Sequence, residues 1–186
     1  MGEGDGGAAT VLAVAREAAL ADRFASALSA QYAVRTAHNG GQTLSKLDDA
    51  VDVVLFDRAL ADISDDQLLD AIENDGLDCR VALLTDGEPE FDPIERGFDG
   101  SLAKPVGPGR LRETVERLLA LDEYERLYRE LSSKRVERSI IEAETDAEDP
   151  PSHDRIARLD RRIETLEARL DDIRHRTEFD DRLLPS

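Results

Sequence analysis

VDVVLFD, residues 51–57, is the stretch on which the reading of this chain turns. Its apolar run is about one strand long and almost unbroken, as in a strand buried on both faces, and it ends on Asp57. Working outward, TVLAV (10–14), YAVRTA (32–37), RVALLT (80–85) and GSLAKP (100–105) have the same character. Amphipathic segments lie between them. Residues 18–30 set Leu20, Phe24, Ala27 and Leu28 at helical spacing, and NGG (39–41) turns the chain into a short helix through Leu44 and Leu47. DDQLLDAIEN (65–74) carries Leu68, Leu69 and Ile72 on one face and is stopped by Gly76. A short helix is expected over 92–97, and another helix begins near Pro108. Strands alternating with helices predict an α/β domain with a five-stranded, parallel, doubly wound sheet. In such a sheet ligands bind at the carboxyl ends of the strands.

The composition changes after Leu121. Glycine is absent from residue 110 onward, and Leu, Ile, Arg and Glu dominate. Ile156, Leu159, Ile163, Leu166, Leu170 and Ile173 follow an unbroken heptad stripe. Leu121, Tyr124, Tyr128 and Leu131 form a second one, continued less regularly by Val136, Ile140 and Ile141. The acid-rich stretch 143–152, with Pro150 and Pro151, breaks the helix between them. Helices 121–141 and 153–176 can fold back as an α-helical hairpin or pair with another chain as a coiled coil; the hairpin is favoured because the break is long enough to reverse direction. The expected organisation is a disordered acidic, Gly-rich tail over 1–9, an α/β domain over 10–120, a helical domain over 121–176 and a frayed tail over 177–186.

The chain has 186 residues, with 42 acidic against 24 basic side chains and a net charge of −18. Lys46, Lys104 and Lys134 are its only lysines. An acidic, lysine-poor surface is the device by which proteins stay soluble in multimolar salt. Neither half is basic: residues 1–107 carry a net charge of −13 and residues 108–186 one of −5. That argues against direct nucleic-acid binding, as does the lack of a basic helix in the C-terminal segment. No apolar run approaches the ~20 residues of a membrane span, and MGEGDGGAAT has no signal-peptide pattern. A cytoplasmic protein without membrane contact is expected. GEGDGG precedes the first strand and so does not read as a phosphate loop. Cys79 has no cysteine partner and reads as a structural thiol. His38, His153 and His175 lack metal-ligand spacing and read as surface residues. Arg161 and Arg162, with Asp160 and Glu164 beside them, read as a solvated ion-pair face.

Asp57 ending the third strand, Thr85 the fourth and the Lys104–Pro105 pair the fifth form a recognisable pattern. Residues 10–120 resemble the CheY-like receiver domain of response regulators, a flavodoxin-like fold. The Arg/Glu/Leu-rich segment 121–176 resembles the HalX domain that follows receivers in haloarchaeal regulators. The resemblance implies two-component signalling, in which a sensor histidine kinase phosphorylates Asp57. It also implies Mg²⁺ bound by Asp57 and the backbone carbonyl of Ala59, with Thr85, Lys104 and Pro105 supporting the phosphoryl group. Such a protein is a regulator and not an enzyme.

Two positions depart from the receiver pattern. Receivers carry an acidic pair after the first strand, where this chain has Ala15 and Arg16. They carry an aromatic residue three positions before the lysine, where it has Ser101. The expectation is a degenerate receiver whose Asp57 faces Arg16 and Lys104 in place of a metal ion, with the helices as an interaction output module. In a second reading Arg16 holds a phosphoryl group directly. A third makes the chain a phosphorylated, DNA-binding transcription regulator.

Overall fold

The computed structural model describes residues 8–144 and 150–185. The expected tail over 1–9 lies largely outside them, as does half of the break at 143–152, whose described residues belong to the two flanking helices. Chain contacts divide the molecule into two units, one up to Leu119 and one from Ala120.

In the first unit, β1 (Thr10–Val14), β2 (Ala33–Ala37), β3 (Val53–Asp57), β4 (Arg80–Thr85) and β5 (Gly100–Ala103) form one sheet in the order β2-β1-β3-β4-β5. Every pairing is parallel. Alternate residues serve opposite faces, as the two-residue period of a strand requires. Val11, Ala13, Val53, Leu55, Ala82 and Leu84 pack with Phe24 and Leu28 of α1 (Ala18–Leu28) and with Leu111, Val115 and Leu118 of α4 (Pro108–Glu144). Leu12, Val14, Val54, Phe56, Val81 and Leu83 face the other way, toward Leu68 of α3 (Asp65–Asn74), Leu47 and Phe98. Both faces are covered, which is why β3 is buried throughout. The short α2 (Gly40–Lys46) starts where a Cβ on Gly40 would stand 2.9 Å from the Ile63 Cβ. Only glycine allows that approach.

The order of the strands reverses at β1, between β2 and β3. The carboxyl ends of β1 and β3 therefore border the crevice where such sheets place their ligands. Asp57 sits on that edge.

The helix expected over 92–97 is replaced by turns at residues 93–97. The Asp92 carboxylate accepts the Ile94 N–H at 2.9 Å, and Phe98 N–H reaches back to the Pro93 carbonyl at 2.9 Å. Gly97, at φ 101°, then stops the turn before a helix can propagate. By contrast, α3 has the predicted bounds, because Ser64 and Gln67 form a capping box at its start.

In the second unit α4 and α5 (Pro150–Arg176) run antiparallel as a hairpin. Pro150 opens α5 at a position where its missing N–H costs nothing. Tyr124, Leu127 and Leu131 pack on Leu166, Leu170 and Ile173. Val136 and Ile140, expected on this seam, are exposed on the far side of α4, and the half-buried Arg138 reaches Asp160 across the hairpin. The seam keeps its 3.5-residue spacing from Leu131 through Arg138 to Ile141, so polar residues take the positions that the apolar pattern assigned elsewhere. The described part of the expected frayed tail, residues 177–185, also departs from that expectation. Phe179 packs against Tyr124 with ring centroids 5.9 Å apart, and Leu184 joins the same cluster. Among the described residues, no helix is long and apolar enough to cross a membrane.

Candidate functional site

β3 delivers Asp57 to the carboxyl edge of the sheet with its side chain 3% exposed. A carboxylate so deeply buried needs partners. The backbone N–H of Ala59 donates to Oδ1 at 3.0 Å, and the Lys104 ammonium donates to the same oxygen at 2.8 Å. Lys104 arrives from the end of β5, where its own N–H donates to the Thr85 carbonyl at 2.8 Å and its bond to Pro105 is cis. The ammonium also lies 3.1 Å from Oδ1 of Asp86, at the end of β4. One lysine thus bridges two carboxylates from neighbouring strand ends.

The two halves of this bridge differ in weight. Lys104 is 17% exposed, so losing it would orphan a buried charge, at a cost of about 3–5 kcal/mol. Asp86 is 81% exposed, and a screened pair of that kind contributes about 0–1 kcal/mol. Burial opposes the lysine's charge, but the hydrogen bonds to Asp57 and Asp86 outweigh it and hold its pKa above the ordinary value. The ammonium therefore stays charged throughout the neutral range.

The remaining expected site residues are placed as follows. Thr85 is buried, and its hydroxyl donates to the Gly87 carbonyl at 2.6 Å. Ser101 is half-buried and stands opposite Leu83 in the sheet register. Ala15 is fully buried; its carbonyl lies 3.1 Å from Nδ1 of His38, so that ring is a structural partner and not a bare surface group. Arg16 is exposed and forms no pair with Asp57, contrary to expectation. Asp57 is 3% exposed and its Oδ1 already accepts from Lys104 and the Ala59 N–H, so an exposed guanidinium gains more from water than from competing for that carboxylate.

Mg²⁺ demands a near-octahedral set of oxygens. Here Oδ1 of Asp57 is engaged by two donors, and the end of β1 offers a methyl group and a cation in place of two carboxylates. The other acid nearby, Asp86, shares the same ammonium. Among the described residues no group of three or more His, Cys, Asp and Glu could hold a metal ion. These residues do not fit the magnesium site that the receiver fold implies.

Two features went unread in the sequence. Asp86 is one; its only signal is an acid directly after Thr85. The other is a clamp beside the site. Arg58, next to Asp57, lies over the Phe91 ring at 4.7 Å, and Arg96 lies over the same ring at 5.0 Å. Both guanidiniums also reach the buried carboxylate of Asp65, at 3.3 and 3.7 Å. This group ties the turn-rich β4–β5 connection to the start of α3. Cys79 behaves as expected of an inert thiol: burial, then the Asp99 carboxylate, push its pKa up to about 11.

Comparison with known proteins agrees with this architecture. Residues 120–184 match the HalX domain family. A "Putative transcriptional regulator" of Haloferax volcanii is 38% identical over 138 residues, 74% of this chain. The chain spans about a quarter (24%) of that relative's length. Among solved structures, the CheY-like receiver domain of Methanospirillum hungatei is 26% identical with a TM-score of 0.55, covering 62% of this chain and 97% of that one. The chemotaxis regulator CheY4 of Vibrio cholerae is 26% identical with a TM-score of 0.51, covering 59% and 98%. A structure of the CheA3 P1 domain with CheY6 from R. sphaeroides gives 26% and 0.52, covering 62% and 99%. The sheet unit has the fold of response-regulator receivers. More particularly, this is a CheY-like receiver fold followed by a HalX domain.

Proposed function

We propose that this protein is a response regulator of two-component signalling whose receiver has lost Mg²⁺-dependent phosphorylation, and whose HalX hairpin is a protein-interaction output. The receiver fold supports the signalling class. One observation carries the rest: Lys104 occupies the carboxylate of Asp57, while the end of β1 supplies no acid. A carboxylate attacks phosphorus only when the charge of the transferring group is neutralised by a metal or by fixed cations. Here Asp57 would be the acceptor by position, and Thr85, Lys104 and Pro105 would surround it. The sensor kinase, if one docks, would act as a binding partner.

Incubation of the chain with a small acyl phosphate and Mg²⁺, read by intact mass, tests this. No added phosphate on Asp57 is expected. Ala15→Asp with Arg16→Asp should restore labelling, and stoichiometric labelling of the unmodified chain defeats the reading.

A transcriptional role has one observation in its favour, the name of the Haloferax relative. Direct DNA contact through the hairpin is opposed by where its arginines go. Arg135, Arg138, Arg162, Arg169 and Arg176 are paired with carboxylates on the facing helix. Such cations are not available to release counterions from a duplex. Fluorescence anisotropy with labelled duplex DNA should show no salt-dependent binding.

A further inference from the structure

Among the described residues three large apolar side chains are exposed, and two of them stand one turn apart on the outer side of α4: Val136, 59% exposed, and Ile140, 51%. The helical positions that share their face are Ser132, Ser133, Ser139 and Ala143, all exposed and none charged. From Ser132 to Ala143 this stripe runs about 18 Å at 1.5 Å per residue. The Ser139 hydroxyl donates to the Arg135 carbonyl at 3.0 Å, so covering it strands no donor. The charges beside the stripe are paired inside the chain. Lys134 meets Glu137 at 3.0 Å, Arg135 meets Glu167 at 2.6 Å, and Arg138 meets Glu142 at 2.8 Å.

Charge decides what can cover it. The chain carries −18, so two copies repel, and they can touch stably only where that repulsion is locally absent. Residues 129–144 hold four acidic and four basic side chains and therefore no net charge. A strongly acidic or basic partner finds no unpaired counter-charge among the flanking pairs, whereas an apolar stripe gains by meeting another. The stripe is also self-complementary: Arg129 closes one end and Glu144 the other, with Val136 and Ile140 between them. A two-fold axis that sets two such helices antiparallel brings cation toward carboxylate at both ends. We propose that the outer face of α4 is a self-association surface, on which a second copy of this chain lays its own α4 antiparallel, Val136 of one copy against Ile140 of the other. The pairing rests on the reading of the hairpin as a protein-interaction output and supplies its partner. The small residues of the stripe let the helices approach to about 8 Å. The stripe is short beside the roughly 800 Å² per partner of a standard interface, so the dimer is weak and reversible.

Sedimentation velocity of the full chain over a series of protein concentrations tests this, at about 0.1 M and about 3 M KCl, where charges act over about 10 Å and under about 3 Å. A monomer–dimer equilibrium is expected, tighter at the higher salt because the net charge is screened. Val136→Asp and Ile140→Asp should each raise the dissociation constant about tenfold, since each puts a carboxylate into the contact. Both residues are exposed, so helicity by circular dichroism should not change. Register is read by disulfide capture in a Cys79→Ser background. Mild oxidation of a mixture of Ser133→Cys and Ala143→Cys chains should give a covalent dimer, because the antiparallel pairing sets 133 opposite 143. Either chain alone should give none, its two thiols lying about 15 Å apart along the helices.

A chain that stays monomeric at every concentration and salt overturns the proposal and leaves the stripe to a different occupant. A dimer indifferent to both aspartate variants overturns it too, as does a covalent dimer from Ser133→Cys alone or none from the mixture. Where Ile140→Asp loses helicity, Ile140→Ser decides in its place, and a dimer that keeps its affinity in that variant is equally fatal. The phosphorylation assay keeps the two claims apart. Labelling of an unmodified chain that dimerises breaks the functional reading, whereas an unlabelled chain that stays monomeric breaks only the self-association.

Discussion

The two units use the same ion-pair chemistry at opposite degrees of burial. In the sheet unit Lys104 meets a carboxylate that is 3% exposed. Along the hairpin, Arg162 meets Glu130 at 2.6 Å with the two side chains 44% and 33% exposed, and Arg169 meets Glu123 at 2.8 Å with similar access. Distance alone would rank the hairpin pair as the stronger. Burial reverses the order: an orphaned buried charge has no water to turn to, while an exposed one does. The hairpin is held by its apolar seam, and its charges act at the rim. At the sheet edge the charge pair is itself part of the core.

The largest effect is expected in the seam. Leu166 is fully buried between the helices, so Leu166→Asp places a charge where no partner exists. A loss above about 4 kcal/mol is expected, with the hairpin's helical signal gone by circular dichroism while the sheet unit persists. Full retained helicity and an unchanged hydrodynamic size would break the packing account.

Next comes the buried pair, where the comparison predicts an asymmetry. Lys104→Met strands Asp57 and should cost about 3–5 kcal/mol. Asp57→Asn leaves the lysine with Asp86 and partial access to water, so it should cost about 1–2 kcal/mol. Chemical denaturation of the two variants measures both. Equal costs would mean that burial does not set the scale.

How much of this was legible follows from what each feature depends on. The strands were readable because a strand buried on both faces leaves an apolar run, and α3 because its cap and its stop are local signals. Asp57, Thr85 and Lys104 stood out because each closes a strand. The absence of a helix at 93–97 turned on Asp92 and Gly97 acting together, which periodicity does not register. Asp86 and the Arg58–Phe91–Arg96 clamp depend on residues brought together only by the finished sheet. On α4, Val136 and Ile140 misled because Arg138, a charged residue, keeps the seam's true phase.

Cys79 offers a test of burial by pH. Its thiol pKa is raised from 9.0 to about 11, so the unfolded chain gives up that proton first. Folding stability from this group is intact below about pH 9 and falls as pH rises toward 11, by about 3 kcal/mol in all. Lys104, with a raised pKa, adds a loss only above its ordinary 10.5. Cys79→Ser should flatten the stability curve between pH 9 and 11 in denaturant titrations, and thiol labelling at pH 8 should be slow.

The clamp should yield less. Phe91→Ala removes two cation–π contacts of about 0.5–1 kcal/mol each at sites this exposed. The expected signature is local: faster amide exchange over residues 86–98, with the rest of the sheet unchanged. Uniformly faster exchange would mean that the ring supports the core and not the connection.

The smallest effect belongs to the hairpin rim, and salt decides its sign. At 0.1 M KCl, where charges act over about 10 Å, Arg162→Ala should cost under about 1 kcal/mol. At 3 M, where they act over less than about 3 Å, the cost should vanish. The whole protein should move the other way. Its net charge of −18 makes self-repulsion the dominant long-range electrostatic interaction, and screening relieves that repulsion. The melting temperature of the unmodified chain should therefore climb with KCl while the gap to Arg162→Ala closes. A melting temperature flat from 0.1 to 3 M KCl would show that the acidic surface is not a salt adaptation. A gap that persists at 3 M would show that the rim pairs are shielded from solvent, and the contrast between rim and core would then lose its physical basis.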